Sequence, residues 1–313
     1  MSQKYKTLFG PVPSRRLGLS LGIDFFSKKI CSLNCVYCEV GPTVQLTAKP
    51  DAFIPYTEIL SECESFFNSG QTTDYLTICG SGEPTLSEDL GVLVKELKTR
   101  YPDKRVAIIT NGTLLHKEEV FNRVLEADLI MPSLDAVSED VFEKINKPDP
   151  ELTAKVMLGS IERLCKEFKG EVWLEILFIR GYNDHQEEIK KLIEASIRMK
   201  PTRVQLNTLV RPGVLKDILP LSKSELDSIA KQFPTDMHVE VITPSTFKTE
   251  HLSKEQVIEA IKRRPCSFND ISGMVGSELN ANKLLTSLEN EKLIKKRVVG
   301  ETTYYSVSRL KAI

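Results

Sequence analysis

Residues 75–86, YLTICGSGEPTL, carry the pattern from which the fold is read. An apolar run over 75–79 closes on a glycine-rich corner with a single acid, Glu83, and the acidic residues Glu88 and Asp89 then open a helix. The same unit recurs downstream. RVAIIT (105–110) ends in Asn111 and Gly112 before a helix near 117–125, and DLIMPSL (128–134) ends in Asp135 before a helix near 139–145. EVWLEILFI (171–179) ends in RGYND before a helix near 187–198. RVQLN (203–207) runs into a loop with Arg211, Pro212 and Gly213 before a helix near 224–232. Upstream, Leu17, Leu19, Leu21 and Ile23 alternate as a first strand, preceded by proline-rich irregular chain from Leu8 and entered by Arg15 and Arg16, either of which could meet an anionic group. The stripe Ile59, Leu60, Cys63, Phe66 and Phe67 has helix spacing.

Strands alternating with helices imply a parallel sheet. Six units exceed a small doubly wound domain and fall short of a closed eightfold barrel. The expected class is therefore α/β, an open (β/α)6 partial TIM barrel, whose reactive residues gather at the carboxyl ends of the strands. Glu175 interrupts an otherwise apolar strand, so it must contact a ligand or form half of a buried ion pair.

Between the first two strands lies ICSLNCVYCEVG, residues 30–41. Its thiols at Cys31, Cys35 and Cys38 lie in a short polar loop and can converge on one inorganic centre. Three cysteines with no fourth nearby suit an iron–sulfur cube with one iron left for a non-protein ligand. Structural zinc usually takes four Cys or His ligands, and no partner pair exists elsewhere. Of the other cysteines, Cys63 and Cys165 belong to helical stripes and read as core, Cys79 closes a strand, and Cys266 lies near the carboxyl end. Seven cysteines, an odd number, point to a metal or redox centre over a disulfide framework. The polar amino-terminal stretch MSQKYKTLF and the interrupted apolar runs give no signal peptide or membrane span, so a cytoplasmic location is expected. A net charge of −1 gives no global attraction to nucleic acid or membrane.

The CxxxCxxC spacing, with Tyr37 before the last cysteine, resembles the signature of the radical S-adenosylmethionine (radical SAM) superfamily. The resemblance implies a 4Fe-4S cluster on Cys31, Cys35 and Cys38 whose open iron chelates SAM. Reductive cleavage of SAM would yield a 5′-deoxyadenosyl radical that abstracts hydrogen from a substrate. It also implies an electron donor of the reduced flavodoxin or ferredoxin type. Gly80-Ser81-Gly82-Glu83 looks like the superfamily's glycine–glycine–glutamate motif, with Gly82 and Glu83 toward the SAM amino group and serine in place of one glycine. Ser133 resembles a fourth-strand polar residue that touches the SAM ribose, and Asn111 and Asn207 would line the cavity. Over roughly 8–245 the chain looks like the wyosine-synthase-like branch, through FGPVPSRRLGLSLGID, CSLNCVYCEVG, CGSGEPTL, ITNGTLL and MPSLDAVSEDVFEKINKP. Wyosine synthase itself needs three further cysteines upstream of the triplet, and none precedes Cys31.

After a loop-like joint at 241–246 the composition shifts. Helices near 254–263, 268–275 and 280–289, then a hairpin turning at Gly300 and Glu301, resemble a winged helix domain. The expected domains are 1–246, the radical SAM core, and 247–313, the winged helix. Residues 251–313 hold 11 Lys and Arg against 7 Asp and Glu, a local charge of +4 that leaves −5 for the rest. Asn280, Asn282, Lys283, Lys295, Lys296, Arg297, Tyr304 and Tyr305 could meet a phosphate backbone, which makes an RNA base a candidate substrate. The competing readings are an activase that makes a glycyl radical on a partner protein, and an iron–sulfur regulator that binds DNA.

Overall fold

The computed structural model describes residues 5–14, 16–215, 217–242, 252–263, 265–299 and 302–307. Arg15, most of the joint between core and carboxyl-terminal unit, and the hairpin turn at Gly300 and Glu301 lie outside the described residues.

The chain begins with a hairpin, β1 (Leu8–Ser14) and β2 (Gly18–Ile23). The short strands β3 (Ile30–Cys31) and β4 (Gln45–Leu46) follow, then α1 (Tyr56–Asn68) and β5 (Tyr75–Ile78). The repeating units are α2 (Leu90–Arg100), β6 (Arg105–Thr110), α3 (Glu118–Val124), β7 (Leu129–Pro132), α4 (Glu139–Asn146), α5 (Ala154–Glu167), β8 (Glu171–Phe178), α6 (Gln186–Met199), β9 (Arg203–Thr208), α7 (Lys223–Ala230) and β10 (Val239–Val241). They form one eight-stranded sheet in the order β1-β2-β5-β6-β7-β8-β9-β10, parallel except for the β1–β2 hairpin. This is an α/β fold with an open, mostly parallel sheet.

Two strands depart from the sequence expectation. Residues 8–14, read as irregular, form β1, whose register against β2 shifts between Phe9 and Val12 around the Gly10–Pro11 step. A sheet edge tolerates proline because no partner needs its missing N–H on the outer side. The short β10 extends the sheet beyond β9 at the expected start of the joint.

Strand alternation divides the apolar residues between two faces. Val106 and Ile108 of β6 pack under α1–α3, whereas Ala107 joins Leu17, Leu129, Met131 and Trp173 in a cluster on the inner face. Leu174, Ile176 and Phe178 of β8 pack outward against α4–α7. Glu175, between them, therefore faces inward.

The carboxyl-terminal residues form α8 (Lys254–Arg263), β11 (Cys266–Ser267), α9 (Phe268–Val275), α10 (Glu278–Asn290), β12 (Ile294–Val299) and β13 (Thr302–Val307). Their antiparallel sheet has the order β11-β13-β12, so it contains one strand, β11, that the sequence reading did not anticipate. Val257, Ile261, Ile271, Met274, Leu285 and Leu288 build a separate apolar cluster. The unit rests on the amino-terminal hairpin, where Val12 packs into that cluster, and on the loop before β5, where Gln256 Nε2 donates to Gln71 Oε1 at 2.8 Å.

Candidate active site

Cys31 ends β3, and Cys35 and Cys38 follow in the loop beyond it. That loop is fastened to the end of α4, where Asn34 N donates to Asn146 O (2.9 Å) and Val36 N to Ile145 O (2.9 Å). It is fastened to β6 by Asn111, whose Nδ2 donates to Ser32 Oγ (2.9 Å) and Cys31 Sγ (3.6 Å). Cys31 Sγ also accepts from Leu33 N at 3.4 Å. Asn146 Nδ2 donates to Cys35 Sγ at 3.4 Å and to Asp135 Oδ2 at 3.1 Å. The same Asp135 oxygen accepts from Tyr37 OH at 2.5 Å, and Asp135 Oδ1 accepts from Leu177 N at 3.1 Å.

Burial governs the ionisation of this region. It pushes the Cys31 thiol up to about 12, with the Glu83 carboxylate adding to the shift. Burial, then the neighbouring Cys31 and Cys38, raise Cys35 further. Burial lifts Asp135 to about 6 against the opposing donors Tyr37 and Asn146. Such thiols are protonated on their own, and a metal centre displaces their protons.

The glycine corner lies beside β3. A Cβ on Gly82 would sit 2.1 Å from Ile30 O, so only glycine lets the corner approach the strand that carries Cys31. Glu83 is 3% exposed, and its carboxylate is largely engaged by the chain. Oε1 accepts from Thr85 N (3.0 Å), Thr85 Oγ1 (2.6 Å) and Thr110 Oγ1 (2.6 Å), and Oε2 accepts from Asn111 N (2.8 Å). A carboxylate offers about four lone-pair directions, two on each oxygen, so Oε2 keeps one. Burial raises the Glu83 pKa despite these donors.

Cys31, Cys35, Tyr37, Cys38, Gly82, Glu83, Asn111 and Ser133 all line one cavity of about 620 Å³ at the carboxyl ends of the strands. Cys79 lines it as well. Asn207, expected to line the cavity, is not among its lining residues. Its Nδ2 donates to Glu175 Oε1 (2.8 Å), and Glu175 Oε2 accepts from Arg16 Nη1 (2.8 Å). Asn207 thus supports a partly buried ion pair, and Glu175 is half of that pair. Among the described residues no three His, Cys, Asp or Glu side chains converge closely enough to hold a lone metal ion. The three thiols instead line a shared wall and carry N–H donors on two of their sulfurs, a donor set that fits a multinuclear sulfide centre.

The sequence reading missed Asn146, Ser32 and Arg211. Asn146 stands inside the quoted stretch ending KINKP, but nothing local marks its side chain as a sulfur partner. Arg211 was noted only as part of a loop.

Residues 27–193 match the family model described as Radical SAM superfamily. A Helicobacter pylori UPF0026 protein is 31% identical over 303 residues, which cover 95% of this chain and 96% of that one. A Brachyspira hyodysenteriae protein named GTPase Obg is 34% identical over 311 residues, 97% of this chain; the chain spans 46% of that relative's length. A GTP 3′,8-cyclase of Nautilia profundicola is 30% identical over 228 residues, 67% of each chain. The solved structure of TYW1 with a lysine-pyruvate adduct is similar in fold, with a TM-score of 0.53 and 21% identity over 70% of this chain and 74% of that one. The chain therefore belongs to the radical SAM superfamily and, within it, to the family of the UPF0026 proteins. It is a radical SAM enzyme whose reaction is unassigned, and enzymes of this superfamily use a 4Fe-4S cluster and SAM. Among the described residues no helix is long and apolar enough to cross a membrane.

Proposed function

We propose that this enzyme cleaves SAM reductively and abstracts hydrogen from a substrate, with Cys31, Cys35 and Cys38 as the cluster ligands and the Gly82–Glu83 corner toward the SAM amino group. The observation that supports this most is the sharing of one cavity by the three thiols, the glycine corner and the strand-end residues Asn111 and Ser133. A 4Fe-4S cluster held by these three thiols would supply the electron for reductive cleavage of SAM to methionine and a 5′-deoxyadenosyl radical able to take a hydrogen atom. The electron comes from a reduced donor of the flavodoxin or ferredoxin type. The side chains around the site orient and tune it. Asn111 and Asn146 give N–H bonds to the sulfurs of Cys31 and Cys35, and such donors stabilise a more electron-rich centre. Asp135, Tyr37 and Asn146 hold one another so that the cysteine loop stays in register with β7 and β8.

We take 1–246 as the core domain and 247–313 as a winged helix domain, located in the cytoplasm. Support for the second domain comes from its element order, helix-strand-helix-helix-strand-strand, and from its own apolar cluster. An RNA base as substrate, and a place in the wyosine-synthase-like branch, rest on sequence features alone, the first on the +4 charge of residues 251–313.

The test is anaerobic reconstitution with iron and sulfide, followed by 5′-deoxyadenosine measurement with dithionite, with and without cellular RNA. Cys35→Ala is expected to abolish both the cluster absorbance and 5′-deoxyadenosine formation. A variant that retains its full iron content removes that thiol from the ligand set.

A further inference from the structure

The cavity is bounded by more than the α/β core. Asn269, Asp270, Gly273 and Met274 of α9 and Thr302 and Tyr304 of β13 form part of its lining. Two contacts draw this face onto the core at the loop after β9. Tyr304 OH donates to Val210 O, and Arg211 bridges both sides. Arg211 Nη2 lies 3.0 Å from Asp270 Oδ1 on α9, while Nη1 lies 3.4 Å from Glu39 Oε1, immediately after Cys38. The same loop adheres to the cysteine loop. Leu215 N donates to Val36 O at 3.0 Å, and a Cβ on Gly213 would come within 2.6 Å of the Tyr37 backbone.

The Arg211 side chain is only 4% exposed, and its Nε is a buried donor with no acceptor among the described residues. The charge around it is already matched, because Arg211 faces both Glu39 and Asp270. Arg16, the other cation in the described lining, is paired with Glu175. Glu83 adds a carboxyl group to the same lining. Among the described residues the lining therefore has no excess positive charge to meet a phosphate chain, whereas it suits the cationic sulfonium of SAM. Its volume is that of a site enclosing one drug-sized ligand, and SAM takes a share of it.

We propose that the carboxyl-terminal unit is the outer wall of the substrate chamber, clamped by Arg211, and that the substrate is a small molecule with no anionic group, held there beside SAM. This rests on the radical SAM reading above. It gives the unit a role in enclosing substrate, with α9 and β13 turned inward.

The experiment uses the reconstituted full-length holoenzyme. A cell extract is split into a retained RNA and protein fraction and a low-mass filtrate, and the filtrate is passed over an anion exchanger. 5′-Deoxyadenosine formation is expected to rise several-fold over the basal rate with the flow-through. Stimulation confined to the retained fraction or to the anion-bound metabolites overturns the proposal. The clamp is tested by the rate at which bathophenanthroline disulfonate, a bulky chelator, strips iron from the cluster. Asp270→Asn is expected to speed stripping several-fold, and Tyr304→Phe, which removes the second tie, reads the same property should the first variant fold poorly. Rates equal to the unsubstituted enzyme in both overturn the wall. Basal SAM cleavage together with equal stripping rates defeats this proposal alone, whereas a fully loaded cluster that never cleaves SAM defeats the radical SAM reading of the site.

Discussion

Replacing Asn146 by alanine isolates the chain's own contribution to the metal centre. The residue is 3% exposed, and its side chain makes two bonds through one amide, to Cys35 Sγ at 3.4 Å and to Asp135 Oδ2 at 3.1 Å. Its backbone carbonyl, which anchors Asn34 N at 2.9 Å, survives the substitution, so the loop keeps its main tether. Hydrogen bonds to charged groups contribute about 1.5–3 kcal/mol each, but a long bond to sulfur lies at or below the lower end. A net loss of about 1.5–3 kcal/mol converts to roughly 10- to 100-fold weaker iron retention, the range usual for residues that support metal ligands. The measurement is iron bound against chelator concentration under anaerobic conditions, with the cluster's reduction potential as a second readout. Loss of an N–H donor to sulfur is expected to lower the potential as well as the affinity. An Asn146→Ala enzyme with unchanged iron retention and unchanged potential would refute the assignment of that amide to the sulfur.

Two further predictions concern the scaffold. Arg16→Met removes one cationic partner of Glu175, whose side chain is 12% exposed, and a destabilisation of about 1–3 kcal/mol in urea unfolding is expected, with Glu175→Gln restoring most of it; a loss under about 0.5 kcal/mol would show that the pair is solvated. Arg180 and the Ser222 cap hold Glu225 down at about 2. A carboxyl whose folded pKa is depressed contributes stability above its unfolded value near 4.3, and that stability is lost as pH falls from about 5 toward 2. Arg180→Ala should therefore flatten the acid side of a melting-temperature profile while leaving the neutral side nearly level.

The strand-then-helix order was legible because each strand carries a period-two or continuous apolar run and ends on a turn residue. β1 was not, since Pro11 and Pro13 suppress the strand signal unless one knows that the segment lies at a sheet edge beside β2. β11 spans only Cys266–Ser267, too short for any periodicity. The cysteine triplet and the GSGE corner stood out by spacing. The partner of Asn207 was not legible, because alternation along β9 gives its face but not its depth relative to the cavity. Its partner Glu175 is 32 residues away in sequence, and that contact decides its role. Asn146 and Cys35 lie 111 residues apart, so nothing local links them.

The sequence by itself determined the repeating α/β units, the three thiols and their likeness to the radical SAM signature, because these depend on residue type and on spacings along the chain. Only the tertiary structure decided which polar groups face the sulfurs, that Glu83 spends most of its lone pairs on its own corner, and that α9 and β13 line the cavity. Those facts come from distances between segments far apart in sequence, and such distances are fixed by packing across the sheet and by the pairing of buried charges.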